Sequence, residues 1–171
     1  MNESNNMRQI RVEKLTVNMG VGQSGDEMKR AQKIIETITN SKAVQTKCKV
    51  KQPKWEIRPG LPIGLKVVLR RDDAVEFLKR TLDAKDNTLS KKNFDLQGNF
   101  GFGIHEYIDM PGIKYDPSLG IRGFDVLVTL ARPGYRIKMR KQKRKKVGKN
   151  HIVRKEAAIE FMQKHFGVRV E

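Results

Sequence analysis

The run Gly20-Val21-Gly22-Gln23-Ser24-Gly25 has the glycine spacing by which a dinucleotide-binding loop brings backbone N–H groups against a pyrophosphate. It also falls between a strand pattern and a helix pattern, as that chemistry requires. The same chemistry needs an acid near the end of the following strand to hold the ribose, and there the sequence has Lys47, Lys49 and Lys51. The run therefore reads as a tight turn that starts a helix, and no cofactor is expected. Cys48 lies between Lys47 and Lys49, whose charge favours a thiolate, but no histidine close in sequence can act as its base, and a buried structural thiol is expected. His105, Glu106, Asp109 and Asp116 match no ligand spacing. With one cysteine and three histidines the chain has neither a disulfide nor a zinc pattern, so the expectation is a non-enzyme without metal.

What remains is cationic. Lys and Arg number 36 against 19 acids, a formal charge of +17 over 171 residues, which calls for a polyanionic partner. No apolar run approaches the length needed to span a bilayer, so nucleic acid is favoured over membrane and a cytoplasmic protein is expected. Residues 37–71 carry nine basic residues against the single acid Glu56, and residues 126–155 carry twelve with none. These two stretches exceed the whole net charge, so the rest of the chain is close to neutral. Segregation of this kind points to a defined binding surface rather than to general solvation.

The elements that must position these cations are legible from periodicity. A single domain over 1–171 is expected, with a flexible terminus at 1–6. A strand at 10–19 alternates Leu15, Val17 and Met19 inward and turns Asn18 away from the core. A helix over 26–39 carries Met28, Ala31, Ile34, Ile35 and Ile38 on one stripe, with Ser24 and Glu27 spaced as a capping box. In 44–50, Val44, Thr46, Cys48 and Val50 read as the inner face and Gln45, Lys47, Lys49 and Lys51 as the outer. The strand at 63–70 turns Lys66, Val68 and Arg70 outward, so two neighbouring strands are expected to share one basic face. A helix follows over 73–84, started by Asp72 or Asp73 and buried through Val75, Leu78 and Leu82. Strands near 100–108 and 124–130 come next; Phe100 and Phe102 share a face with Ile104 and read as core, not as a base-stacking platform. A last helix, 154–165, buries Ala158, Phe161 and Met162. The fold class is α+β: a mainly antiparallel sheet with helices on one face, split-βαβ-like, plus a basic extended arm.

Two segments stand outside this frame. The proline-bearing hairpin loop at 49–62 holds Lys49, Lys51, Lys54, Trp55 and Arg58, cations and an aromatic suited to phosphate and to a base or ribose, with the equal alternative that Trp55 anchors the loop on its own domain. The arm at 136–151 carries Arg136, Lys138, Arg140, Lys141, Lys143, Arg144, Lys145, Lys146 and Lys149. It cannot bury itself and is expected to be disordered until phosphate neutralises it.

The stretches 17–22, 62–70, 99–104, 113–117 and 120–125 resemble, in order and over nearly the whole chain, ribosomal large-subunit protein five in its archaeal form. The resemblance implies a structural constituent of the central protuberance that binds 5S rRNA and helps attach it to the large, 23S-type rRNA. It further implies contact with P-site tRNA through the loop at 49–62, a bridge to small-subunit protein thirteen, and large-subunit protein eighteen as a neighbour. The family's 5S rRNA contacts fall at Asn18, Ser41, Val68 and Arg70, and Lys47 and Lys66 join them as cations of the expected face. Ser41 stands where the family has Gln and Val68 where it has Thr, which puts direct hydrogen bonds at both in doubt. The arm matches the archaeal extension, with large-subunit rRNA as its implied partner. No membrane and no homo-oligomer are expected. The competing readings are a free RNA-recognition module regulating mRNA, which needs exposed aromatics on the sheet, and a nucleotide-dependent enzyme.

Overall fold

The structure, a computed structural model, describes residues 5–171, so the first four residues of the expected flexible terminus lie outside the described residues. The strands are β1 (Arg11–Gly20), β2 (Val44–Lys47), β3 (Pro62–Leu69), β4 (Thr88–Leu89), β5 (Phe100–Ile104), β6 (Phe124–Ala131) and β7 (Arg169–Val170). The helices are α1 (Asp26–Thr39), α2 (Arg71–Asp83) and α3 (Lys155–Phe166). Five strands form a mainly antiparallel sheet in the order β2-β3-β1-β6-β5, and β4 pairs with β7 in parallel. The α+β class with its antiparallel sheet is thus present. The small β4–β7 pair was not anticipated, because two-residue strands leave no periodicity to read.

By its contacts the chain forms two compact units. One comprises Thr16–Leu69 and Phe102–Leu127. There the alternation in β1 and β3 buries Val17, Met19, Leu65, Val67 and Leu69, while Lys66 and Val68 are exposed. Helix α1 packs on β3 and buries its expected stripe, Met28, Ala31, Ile34, Ile35 and Ile38. Its start differs from the capping box. Gly25, at φ 109°, is the N-cap, and no side chain caps the helix. Glu27 instead receives a 2.7 Å hydrogen bond from the Arg122 guanidinium, an ion pair that fastens the segment before β6 to α1.

The other unit comprises the described residues up to Leu15 with Arg70–Gly101 and Val128–Glu171. Helix α2 buries Ala74, Phe77, Leu78 and Leu82, with Val75 only half-buried, and begins from Arg70 without an Asp cap. Asp72 and Asp73 occupy its first turn, where the helix dipole favours them. Helix α3 buries Ala158 and Met162; Phe161 is half-buried, its ring 4.7 Å from that of His165.

Phe100, Phe102 and Ile104 are buried, as alternation required. Strand β5 stops at Ile104 rather than reaching residue 108. Gly123 lies so close that a Cβ there would stand 2.7 Å from the His105 carbonyl, and the chain turns into a 3-10 segment that buries Tyr107.

Candidate nucleic-acid interface

The glycine run is a structural turn. The N–H groups of Val21 and Gly22 both donate to the Ile63 carbonyl, at 3.0 and 2.9 Å, and are therefore committed to β3 rather than free for a pyrophosphate. The same bonds join the end of β1 to the start of β3, so these strands run antiparallel. Asn18 is half-buried, alternating with Val17 and Met19, and so belongs to the face that carries Lys66 and Val68.

The register of β2 corrects the expected basic face. Val44 lies opposite Lys66, Gln45 opposite Leu65 and Thr46 opposite Gly64. Residues directly opposite in an antiparallel pair share a face. Val44 and Thr46 therefore flank Lys66 and Gln45 turns to the other side with Leu65, while Lys47, past a shift in register, lies opposite Pro62 on the face of Gly64 and Lys66. Contact bears this out: a Cβ on Gly64 would meet the Thr46 hydroxyl at 2.9 Å. The inward reading of Val44 and Val50 fails too, for they are 56% and 65% exposed. Strand β2 is a four-residue edge strand, and a bulge between Thr46 and Lys47 breaks the alternation beyond it. Cys48, expected in the core, is half-buried, with its Sγ 2.8 Å from the Val50 carbonyl oxygen. Ser41 is half-buried between α1 and β2, next to Asn40 in a left-handed turn at φ 48°. That connection is tied by Glu36, whose Oε1 accepts from Gln32 and from the Ala43 N–H. These two donors, with Lys42 adding attraction, hold the Glu36 carboxyl below its usual range.

The loop at 49–62 proves to be a paired hairpin extension of β2 and β3. Cys48 exchanges backbone bonds with Leu61 and Gly60, at 2.8 and 2.9 Å, and Gln52 pairs with Ile57. A 3-10 turn, Pro53–Trp55, forms the tip and closes through Glu56 at φ 54°. Ile57 is buried, while Lys49, Lys51, Lys54 and Arg58 are exposed and Trp55 is 67% exposed. Trp55 therefore does not anchor the loop on its own unit; it is presented.

The basic arm is exposed along Lys138, Arg140, Lys141, Lys143, Arg144, Lys145 and Lys146, but its base is fastened, which composition did not reveal. The Tyr135 hydroxyl accepts from the Val153 N–H at 2.7 Å and donates to the His151 carbonyl at 3.2 Å. His151 Nε2 lies 2.8 Å from the Pro133 carbonyl, and the Arg132 guanidinium donates to the Asn150 carbonyl at 3.3 Å. Arg136 is exposed and Lys138 lies over the Tyr135 ring, 4.8 Å from its centroid. The expected disorder is thus corrected at the base, where a residue pair sixteen positions apart closes the loop. Arg70, exposed in extended backbone before α2, belongs to this same unit.

Among the described residues no group of His, Cys, Asp and Glu can hold a metal ion, and no helix is long and apolar enough to cross a membrane. An α+β sheet with an open polar row, a cationic hairpin and a cationic arm defines a protein built to lie along nucleic acid. Family comparison agrees. Residues 5–58 match the model for ribosomal protein L5, and residues 62–161 match the model for the C-terminus of the same ribosomal family. The large ribosomal subunit protein uL5 of Nanoarchaeum equitans is 48% identical over 165 residues, covering 96% of this chain and 97% of that protein. Those of Pyrobaculum aerophilum and Nitrosopumilus maritimus are 47% and 46% identical, each over 96% of this chain, covering 92% and 95% of those proteins. The chain belongs to the ribosomal protein L5 family, a family of structural, non-enzymatic proteins of the large ribosomal subunit.

Proposed function

We propose that the chain works in the cytoplasm as a large-subunit constituent that binds 5S rRNA with its open sheet face and helps attach it to the large, 23S-type rRNA in the central protuberance. The observation that carries this reading is the row Asn18, Thr46, Lys66 and Val68 on a face opposite the one packed under α1. Short polar groups and one cation meet ribose and phosphate there, and Val68 adds apolar contact without a hydroxyl. Arg70 extends the contact set and Ser41 borders it. No aromatic side chain of β1, β3 or β5 is exposed on that face, which counts against a base-stacking module for mRNA.

The hairpin with Trp55, Lys54, Lys51, Lys49 and Arg58 approaches P-site tRNA, and Lys47 stands at its root. The arm lies against large-subunit rRNA. Large-subunit protein eighteen and small-subunit protein thirteen are the proposed protein neighbours. Fluorescence anisotropy of the purified full chain with 5S rRNA, at one stated salt concentration, tests the sheet. Lys66→Ala and Arg70→Ala should each weaken binding by about 1–3 kcal/mol if their contacts are charge-assisted and water-excluded. Unchanged affinity in both variants removes the sheet face from the interface.

A further inference from the structure

At the base of the arm, Arg8, Gly148, Lys149, Asn150 and His151 line a hollow of about 410 Å³. Among the described residues no carboxylate lines it, and neither Arg8 nor Lys149 takes part in an ion pair. Among the described residues, a guanidinium, an ammonium, an imidazole and a carboxamide thus line this hollow, and no anion does.

The walls are held before any ligand arrives. A carbonyl oxygen only accepts, so at 2.8 Å from Pro133 the His151 Nε2 must carry the hydrogen, which leaves Nδ1 as the ring's unassigned nitrogen. The His151 N–H donates to the Gly148 carbonyl at 2.9 Å, and Arg132 holds Asn150 from behind. Arg8 follows a turn in which its N–H donates to the Asn5 carbonyl at 2.8 Å. Binding here need not order the backbone first, which spares the entropy that ordering would cost.

We propose that this hollow is a preformed site for one phosphate oxyanion of an RNA backbone, with Arg8 and Lys149 supplying charge, Asn150 supplying a further donor, and the His151 ring, its N–H held by Pro133, forming a wall that reports on occupancy. The proposal rests on the RNA-binding reading above and adds Arg8, Asn150 and His151 to it. It makes the base of the arm, rather than the denser tip, the point of defined contact.

The test follows the His151 ring by nitrogen and carbon NMR in the full chain, titrated separately with inorganic phosphate and with a short RNA hairpin of arbitrary sequence. RNA binding is read in parallel by anisotropy. The expected result is a saturable shift of the His151 ring with RNA, weakened about tenfold or more in Arg8→Ala. Replacing Lys143, Arg144, Lys145 and Lys146 by alanine should lower affinity but leave the ring's shift at saturation unchanged. RNA that binds while the ring stays unmoved overturns the site and leaves the proposed function standing. A ring that responds to inorganic phosphate alone, with RNA not bound, overturns RNA as the source and counts against the functional reading as well. Equal loss in Arg8→Ala and in a distant Lys79→Ala control, with no change specific to the ring, reduces the hollow to general electrostatics and also overturns it.

Discussion

The open sheet face and the basic arm answer the same problem in opposite ways. On the sheet, Lys66 stands between Val44 and Thr46 at a register set by paired strands, with α1 packed behind, so the few groups of the proposed interface each have a defined position. In the arm, nine cations fall within 136–149; the base is tied by Tyr135 and His151, and further out the Lys145 N–H donates to the Ile137 carbonyl and the Arg140 guanidinium to the Lys143 carbonyl, with the cationic side chains left exposed. The difference separates two contributions to RNA binding. Positioned groups select orientation and register, while a dense run of exposed cations supplies affinity through counterion release.

The comparison breaks most readily at the arm. Replacing Lys143, Arg144, Lys145 and Lys146 by alanine should flatten the slope of log K against log salt by about 3, at roughly 0.7–0.9 per phosphate neutralised. Lys66→Ala should change that slope by no more than about 1. Equal slopes would dissolve the distinction. Next in size is Gly98→Ala. Gly98 sits at φ +74°, and a Cβ there would lie 2.7 Å from the Val153 side chain and 3.2 Å from its carbonyl, so both strain and collision arise. We expect a loss of about 2 kcal/mol or more in chemical denaturation, with the arm's base loosened because Val153 is one of its fastenings.

Tyr135→Phe removes one hydroxyl that both accepts from Val153 and donates to His151. Leaving the buried Val153 N–H without that acceptor should cost about 1–2 kcal/mol, seen as faster amide exchange at Val153 with the sheet's exchange unchanged. The smallest effect belongs to Glu36. Its carboxyl is held low by Gln32 and the Ala43 N–H, so its contribution is present above the ordinary carboxyl range and is lost as pH falls through the lowered value. Protection of the Ala43 amide should fall on acidification below about pH 4.5, the unshifted value, and Glu36→Gln should remove that pH dependence.

Much of this was written in the alternation of apolar residues. Leu15, Val17 and Met19, the α1 stripe and the buried Phe100 and Phe102 all follow from period alone, because each belongs to an element with a well-covered side. Strand β2 escaped for the opposite reason. At a sheet edge neither side is fully covered, so Val44 and Val50 gave a clean pattern that pointed the wrong way, and only pairing with β3 decides the side. The cap of α1 was misread because Glu27 had a distant partner, Arg122, that outweighed its local one. The fastening of the arm joins Tyr135 to His151 and Val153 across a charged run, and nothing periodic marks such a pair. The charge segregation is legible throughout, whereas the register of β2 and the fastening of the arm are not.

Strand β2 has one further consequence, for the interval before the protein meets its RNA. Its outer edge offers unpaired backbone groups beside two exposed valines, the kind of border on which a second copy could add a strand. The strand is only four residues long, ends at a bulge in Lys47 and is followed by Lys49, cations that would face like charge in any copy approaching edge to edge. By simple charge repulsion, the cations at the root of the hairpin therefore also work against such strand addition.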